Sequence, residues 1–92
     1  MIASFRNEHL QQLWEAGKPL PYKTAIATDV LRLLDLIDAA VDPYDVAFYG
    51  IRFDQWADNG STRYGVLLTE HWLISFAWDG EDAFGIDLER IE

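Results

Sequence analysis

The sequence predicts an α+β fold in which a short strand and two helices precede four antiparallel strands. Two observations lead to this prediction. Apolar residues in the first half recur at three- and four-residue steps, whereas the second half alternates large and small residues between turn segments. The chain has 92 residues, half of them apolar, which is enough for one hydrophobic core and too few for two. We therefore expect a single domain over residues 1–92, with the helices packed on one face of the sheet.

The first half is expected to contain the first strand and both helices. Ile2–Phe5 is an apolar segment between polar residues, as is typical of a strand. The first helix is expected to begin after Asn7, a favourable N-cap residue, and to stop at Gly17. The second helix, expected over about Tyr22–Ala40, carries an apolar stripe. It should end before Asp42-Pro43, because the residue preceding a proline disfavours helical backbone.

The second half is expected to form a meander of four strands. The predicted strands are Val46–Phe53, Arg63–Leu68, Trp72–Trp78 and Ala83–Leu88. They are rich in β-branched and aromatic residues and are separated by Asp-Asn-Gly-Ser, Thr-Glu-His and Asp-Gly-Glu-Asp. In the third strand large side chains alternate with small ones, so we expect Trp72, Ile74 and Phe76 to face the helices.

Charge and composition exclude several classes of function. Seven basic residues stand against 16 acidic ones, and the net charge of −9 repels nucleic-acid backbones unless the few cations gather on one face. Without cysteine there can be no disulfide, thiol nucleophile or zinc–thiolate site. No apolar run approaches the roughly 18 residues of a membrane span, and the first residues do not resemble a signal peptide. We expect a cytoplasmic protein that does not contact membranes.

The chain lacks the motifs of common hydrolases, and its polar clusters allow two interpretations each. Neither H-E-x-x-H nor G-x-S-x-G is present, so we expect no metal, no cofactor and no serine nucleophile. Asp79, Glu81 and Asp82 crowd one hairpin and could bind a hard cation, but the EF-hand spacing is absent and a solvated turn is the better interpretation. His9 and His71 are expected on the surface.

Three arginines on different strands or strand ends form a second candidate site. They are Arg52, Arg63 and Arg90. If they converge on the concave side of the sheet, flanked by Asp54 and Glu92, they could hold a phosphate or carboxylate bidentately. If they do not converge, each is an ordinary ion-pair partner for the surrounding acids. Trp56 lies in a polar segment and is the one tryptophan expected to serve as a surface anchor.

Matching residues spread over essentially the whole chain give it a resemblance to a known family. They are Phe5-Arg6, Leu10, Leu13-Trp14-Glu15, Gly17, Leu31-Arg32, Asp38-Ala39-Ala40, Pro43, Asp45, Gly50, Arg52, Arg63, Trp72, Phe76, Gly80-Glu81-Asp82-Ala83 and Asp87. In this pattern the chain resembles the HigB family, the plasmid-maintenance killer toxins of the RelE/ParE superfamily. The resemblance implies a RelE/ParE-like fold and a type II toxin–antitoxin component. Its activity would be that of a ribosome-dependent mRNA endonuclease, neutralised by a helix-turn-helix antitoxin of the HigA type.

The resemblance also implies where the family's site falls in this chain. The implied site positions are Arg52, Asp54, Arg63, Arg90 and Glu92. The motif's histidine and lysine are replaced by Asp54 and Ala57, and an arginine is replaced by Leu73. At the end of the chain, Arg90, Ile91 and Glu92 stand where an acid, a tyrosine and a histidine are expected.

Two hypotheses follow from these replacements. One general acid or base is typically worth about 10²–10⁴ in rate, so losing several predicts weak, altered or absent RNA cleavage. The acidic charge also disfavours binding to the ribosome and its message. The first hypothesis is a HigB-like component bound by a helix-turn-helix antitoxin. The alternative is a non-catalytic acidic module on the same scaffold that binds a basic protein.

Overall fold

The computed structural model describes residues 1–21, 27–49 and 52–91. Its elements are the helices α1 (Glu8–Ala16) and α2 (Ala27–Ala39), a 3₁₀ helix (Pro43–Tyr49), and the strands β1 (Phe53–Asp58), β2 (Ser61–Thr69), β3 (Trp72–Trp78) and β4 (Ala83–Arg90). The strands form one antiparallel sheet in the order β1-β2-β3-β4. The predicted α+β class, with two helices and a four-stranded antiparallel meander, is confirmed. None of the described helices combines the length and apolar character needed to cross a membrane.

The core lies between the helices and one face of the sheet. Its buried residues include Leu10 and Leu13 of α1, Val30, Leu34 and Ile37 of α2, and Val66, Ile74, Phe76 and Ile86 of the sheet. Ile74 and Phe76 have no exposed surface, as the alternation in β3 predicts, whereas Trp72 is only partly buried against the cluster. The opposite face of the sheet, here called the far face, carries the residues between these core positions. They include Asp54, Trp56, Arg63, Gly65, Leu73, Ser75 and Asp87.

The helix ends follow the predicted capping residues. The side chain of Asn7 accepts hydrogen bonds from the backbone N–H groups of His9 and Leu10, at 2.9 and 3.1 Å. Gly17 ends α1 in the left-handed conformation, with φ of 68°. The helix α2 ends at Ala39, close to the predicted end, and the predicted residues 22–26 lie outside the described residues.

The strand predicted over Val46–Phe53 is wrong, because Pro43–Tyr49 forms the 3₁₀ helix and β1 begins at Phe53. Two carboxylates organise the helical turn. Asp45 accepts the backbone N–H groups of Val41 and Asp42 at 2.9 and 3.1 Å, and Asp42 accepts that of Tyr44 at 2.8 Å. Such local side-chain bonds compete with strand formation, and Pro43 suits a first helical turn. The apolar content of this segment still serves the core, where Val46 is fully buried.

The predicted first strand, Ile2–Phe5, is only an extended segment joined to β4 by isolated parallel bridges at its two ends. The bridges lead to Ala83 and Ile86. Between them Gly85 has a φ of 61°, which interrupts regular pairing. Its N–H donates instead to the hydroxyl of Ser4 at 3.0 Å. The segment therefore lies along the outer edge of β4 and brings the residues that follow it close to the far face.

Candidate functional site

The centre of the far face is an apolar strip formed by Trp56, Gly65 and Leu73. A Cβ built on Gly65 would lie 2.9 Å from Cζ3 of Trp56 and 3.1 Å from Cδ1 of Leu73. The glycine thus leaves room for the indole to lie over β2, and the side chain of Leu73 on β3 also borders this position. Trp56 is partly buried, so part of the ring remains accessible on this face. Unlike the other three tryptophans, it is not packed against the core cluster, and its role as a surface anchor stays a prediction.

Arg63 lies beside this strip and is 3% exposed. Its Nη2 donates hydrogen bonds to Oγ of Ser75 at 2.9 Å and to the carbonyl oxygen of Gly85 at 2.7 Å. Nε is buried and has no hydrogen-bond partner in the described residues. Burial lowers the pKa of the guanidinium, and the positive charge of Arg6 lowers it further, while nearby carboxylates act in the opposite direction. The arginine therefore holds the far face together and presents little of its charge to solvent.

Carboxylates surround the apolar strip and Arg63. They are Asp54, Asp58, Asp87 and Glu89. Asp54 pairs with Arg52 at 3.2 Å, and Asp58 lies 3.8 Å from Nη2 of Arg6. All four side chains of these two pairs are one-third exposed or more, so solvent screens both pairs and each contributes little to stability. Acidic groups therefore dominate the rim of the far face.

The three candidate arginines do not converge, so the first of the two alternatives, a shared anion site, is wrong. Arg63 pairs with Ala77 of β3, whereas Arg90 pairs with Trp72, five residues along the same strand and about 16 Å away. Alternation puts Arg90 on the helix side of the sheet, where its guanidinium lies 5.9 Å from the centre of the Trp72 ring. Arg52 stands just before Phe53, the first residue of β1, whereas Arg63 pairs with Trp56 nearer the other end of that strand. Glu92, the fifth predicted site residue, lies outside the described residues.

The acidic hairpin between β3 and β4 is organised as a turn. Oδ1 of Asp79 accepts the backbone N–H groups of Glu81 and Asp82 at 3.0 and 2.8 Å. These bonds lower the pKa of Asp79. Within the described ranges, no three histidine, aspartate or glutamate side chains come together to hold a metal ion.

An open cavity of about 160 Å³ adjoins Arg63 on the far face. Arg63 and Ala77, both almost fully buried, line it together with the half-exposed Arg6, Asp58 and the partly exposed Phe84. Sequence analysis did not assign Arg6 to a site. Its position depends on the pairing of the N-terminal segment with β4, which no local pattern in the sequence indicates.

No protein-family model matches the chain, and no curated protein matches it at a significant level. Function is therefore inferred from the residue pattern described above and from the geometry of the far face.

Proposed function

We propose that the protein is a HigB-like, toxin-family component of a type II toxin–antitoxin system that acts in the cytoplasm by binding a helix-turn-helix partner, with RNA cleavage weak, altered or absent. The observation that carries this proposal is the far face itself. Its central arginine is buried, its apolar strip is accessible, and its rim is acidic.

The order of elements supports the first part of the proposal. An extended N-terminal segment and two helices precede four antiparallel strands, and the helices pack on one face of the sheet. This is the order expected of a RelE/ParE-like scaffold, to which the chain's residue pattern is similar.

The chemistry of the far face argues against efficient RNA cleavage. Cleavage through the 2′-hydroxyl of RNA needs a base for that hydroxyl, cations for the charged intermediate and an acid for the leaving oxygen. The Nη2 donors of Arg63 are already used by Ser75 and Gly85. Leu73 contributes an apolar group where the family pattern has an arginine, and the acidic rim repels a phosphate backbone.

The same face has the features of a protein-binding surface. An accessible aromatic residue surrounded by a charged rim is a common arrangement at interfaces, where the aromatic anchor carries much of the affinity. Here the anchor is Trp56 and the rim includes Asp54 and Asp87. The negative charge of the rim favours a partner with a basic surface and raises the rate at which such a partner associates. The partner of a toxin-family protein would be the antitoxin.

The acidic rim also favours a second candidate, a non-catalytic module that binds some other basic protein. Two measurements distinguish the candidates. The protein is first mixed, at physiological salt, with any helix-turn-helix protein that is encoded next to it, and complex formation is measured by calorimetry. We expect a complex that Trp56→Ala weakens about tenfold or more, as removal of a central aromatic anchor does.

A charge variant and its control test the role of the rim. Asp54→Asn removes an acidic group beside the strip and should weaken the complex and slow its formation, most at low salt. Asp35→Asn makes the same charge change on the exposed side of α2 and should leave the complex unchanged. If the neighbouring protein does not bind while an unrelated basic protein binds through Trp56, the second candidate is correct.

A further inference from the structure

Arg63 is a buried cation without a counter-ion. Its hydrogen bonds lead to a hydroxyl and a carbonyl oxygen, both neutral, and Nε has no partner in the described residues. No carboxylate of the described residues lies within 4.0 Å of its guanidinium. Buried charges in proteins are normally paired, because an unpaired one loses its hydration without compensation. The guanidinium of Arg63 therefore lacks an anion in direct contact, although Glu89, Asp87 and Asp58 act on its charge from a longer distance.

Two of the carboxylates near Arg63 are held in other directions. Oδ1 of Asp87 accepts the backbone N–H of Leu88 at 2.9 Å. Asp58 faces Arg6 at 3.8 Å, which is about 1 Å longer than a good charge-assisted hydrogen bond. Arg6 is half exposed and loosely held, so it can turn towards another anion without breaking a strong contact.

The cavity beside Arg63 has the size and the lining that an anion requires. Its volume of about 160 Å³ equals the share of roughly five water molecules in the liquid, which is enough for one phosphate or acetate ion. Arg6 and Arg63 both line it, and Ser61 adds a hydroxyl. Phe84 forms an apolar wall that limits the width of an occupant.

We propose that this cavity binds a small oxyanion between the guanidinium groups of Arg6 and Arg63. Planar guanidinium groups match the oxygens of phosphate and carboxylate, so both ions share the chemistry that the site recognises. Asp58 competes for Arg6 and keeps the affinity modest, with a Kd on the order of 1 mM. The site does not depend on the proposed toxin–antitoxin function, because it requires no partner protein and no cleavage.

The experiment is a titration of the protein with inorganic phosphate at constant ionic strength, followed by NMR of the Arg63 Nε–H resonance and by the melting temperature. We expect a saturable shift of this resonance and a melting temperature that rises with phosphate, since a ligand bound only to the folded state stabilises it. A parallel titration with acetate shows which of the two oxyanions the site prefers. Tighter binding of phosphate indicates a phosphate ligand, and tighter binding of acetate indicates a carboxylate ligand.

Two variants that keep Arg63 in place test the assignment. Arg6→Gln should raise the Kd about tenfold, as loss of one charged hydrogen bond does. Asp58→Asn removes the competing carboxylate and should lower the Kd severalfold. Arg32→Gln, which makes the same charge change on the exposed part of α2, should leave the Kd unchanged. A shift that does not saturate, or that is equal in the native protein, Arg6→Gln and Arg32→Gln, would overturn the proposal.

Discussion

The indole of Trp56 lies against the backbone of Gly65 on the neighbouring strand, so closely that a Cβ at Gly65 would stand 2.9 Å from the ring carbon Cζ3. Because Gly65 has no side chain, the ring of Trp56 on β1 can lie over β2, and Leu73 on β3 borders the same position. This contact forms the apolar strip on which partner binding is proposed to depend.

Gly65→Ala is expected to displace the indole. The new methyl group overlaps the ring, so Trp56 must move, and we expect a loss of about 1–3 kcal/mol in the free energy of unfolding. Urea denaturation measures the loss, and the NMR signal of the Trp56 indole N–H reports the movement. Thr62→Ala, at an exposed position of the same strand, is the control and should change neither quantity appreciably. An unchanged indole signal in Gly65→Ala would contradict the contact.

Phe76→Ala is expected to cost about 3–5 kcal/mol, because Phe76 is fully buried in the core and its removal leaves a cavity. The measurement is equilibrium unfolding in urea, at constant m-value. Phe84→Ala serves as the control. Phe84 is 36% exposed, so its loss should cost less than half as much. Equal costs for the two variants would be incompatible with the packing described.

Gly60→Ala is expected to destabilise the β1–β2 hairpin by about 1–2 kcal/mol. Asn59 and Gly60 have φ of 51° and 82°, as a type I′ turn requires, and an L-residue is strained at the second position. Asn59→Gly is the comparison, since glycine adopts the first conformation without strain and should change stability by no more than about 0.5 kcal/mol. Thermal unfolding of both variants tests this ordering, and a reversed ordering would exclude the turn.

The pKa of Asp79 is expected to lie below that of an aspartate in an unfolded chain. The cause is the pair of backbone hydrogen bonds, first from Asp82 and then from Glu81, which favour the charged carboxylate. A lowered folded-state pKa stabilises the protein above the unfolded pKa of about 3.9. This contribution is lost as the pH falls through the folded value. NMR titration of the Asp79 carboxyl carbon gives the pKa, and a midpoint above the unfolded value would refute the turn geometry.

The helices and the third predicted strand follow from local patterns in the sequence. Asn7 and Gly17 bound α1 through their own backbone chemistry, and the alternation around Ile74 determines which face of β3 is buried. The strand predicted at Val46 is wrong for a local reason. The composition of the segment is apolar and typical of a strand, but hydrogen bonds to two carboxylates organise it as a 3₁₀ helix.

The candidate site was less predictable than the fold, because it depends on pairing between distant segments. The register of three strands separates Arg63 from Arg90 and puts them on opposite faces. The cavity beside Arg63 exists because the N-terminal segment lies along β4 and brings Arg6 to the β1–β2 hairpin. The periodicity of the sequence does not indicate which distant segments pair with one another.

In the proposed function, the protein binds a partner and does not cleave RNA efficiently. The positions that the resemblance implies for a site lack the acid–base groups that cleavage needs. A variant that restores them carries Asp54→His, Ala57→Lys, Ile91→Tyr and Glu92→His. With neutral histidines these changes raise the formal charge by three, one each from the lost aspartate, the gained lysine and the lost glutamate. Chemistry and charge then change in the direction that favours cleavage.

The most direct measurement is cleavage of messages on translating ribosomes by the native protein and by this variant. Circular dichroism and cooperative unfolding in urea confirm that the variant is folded. We predict little or no cleavage by the native protein and a clearly higher rate for the variant. Cleavage by the native protein at a rate that the four changes do not raise would contradict the account, since catalysis would then reside in residues to which it assigns a structural role.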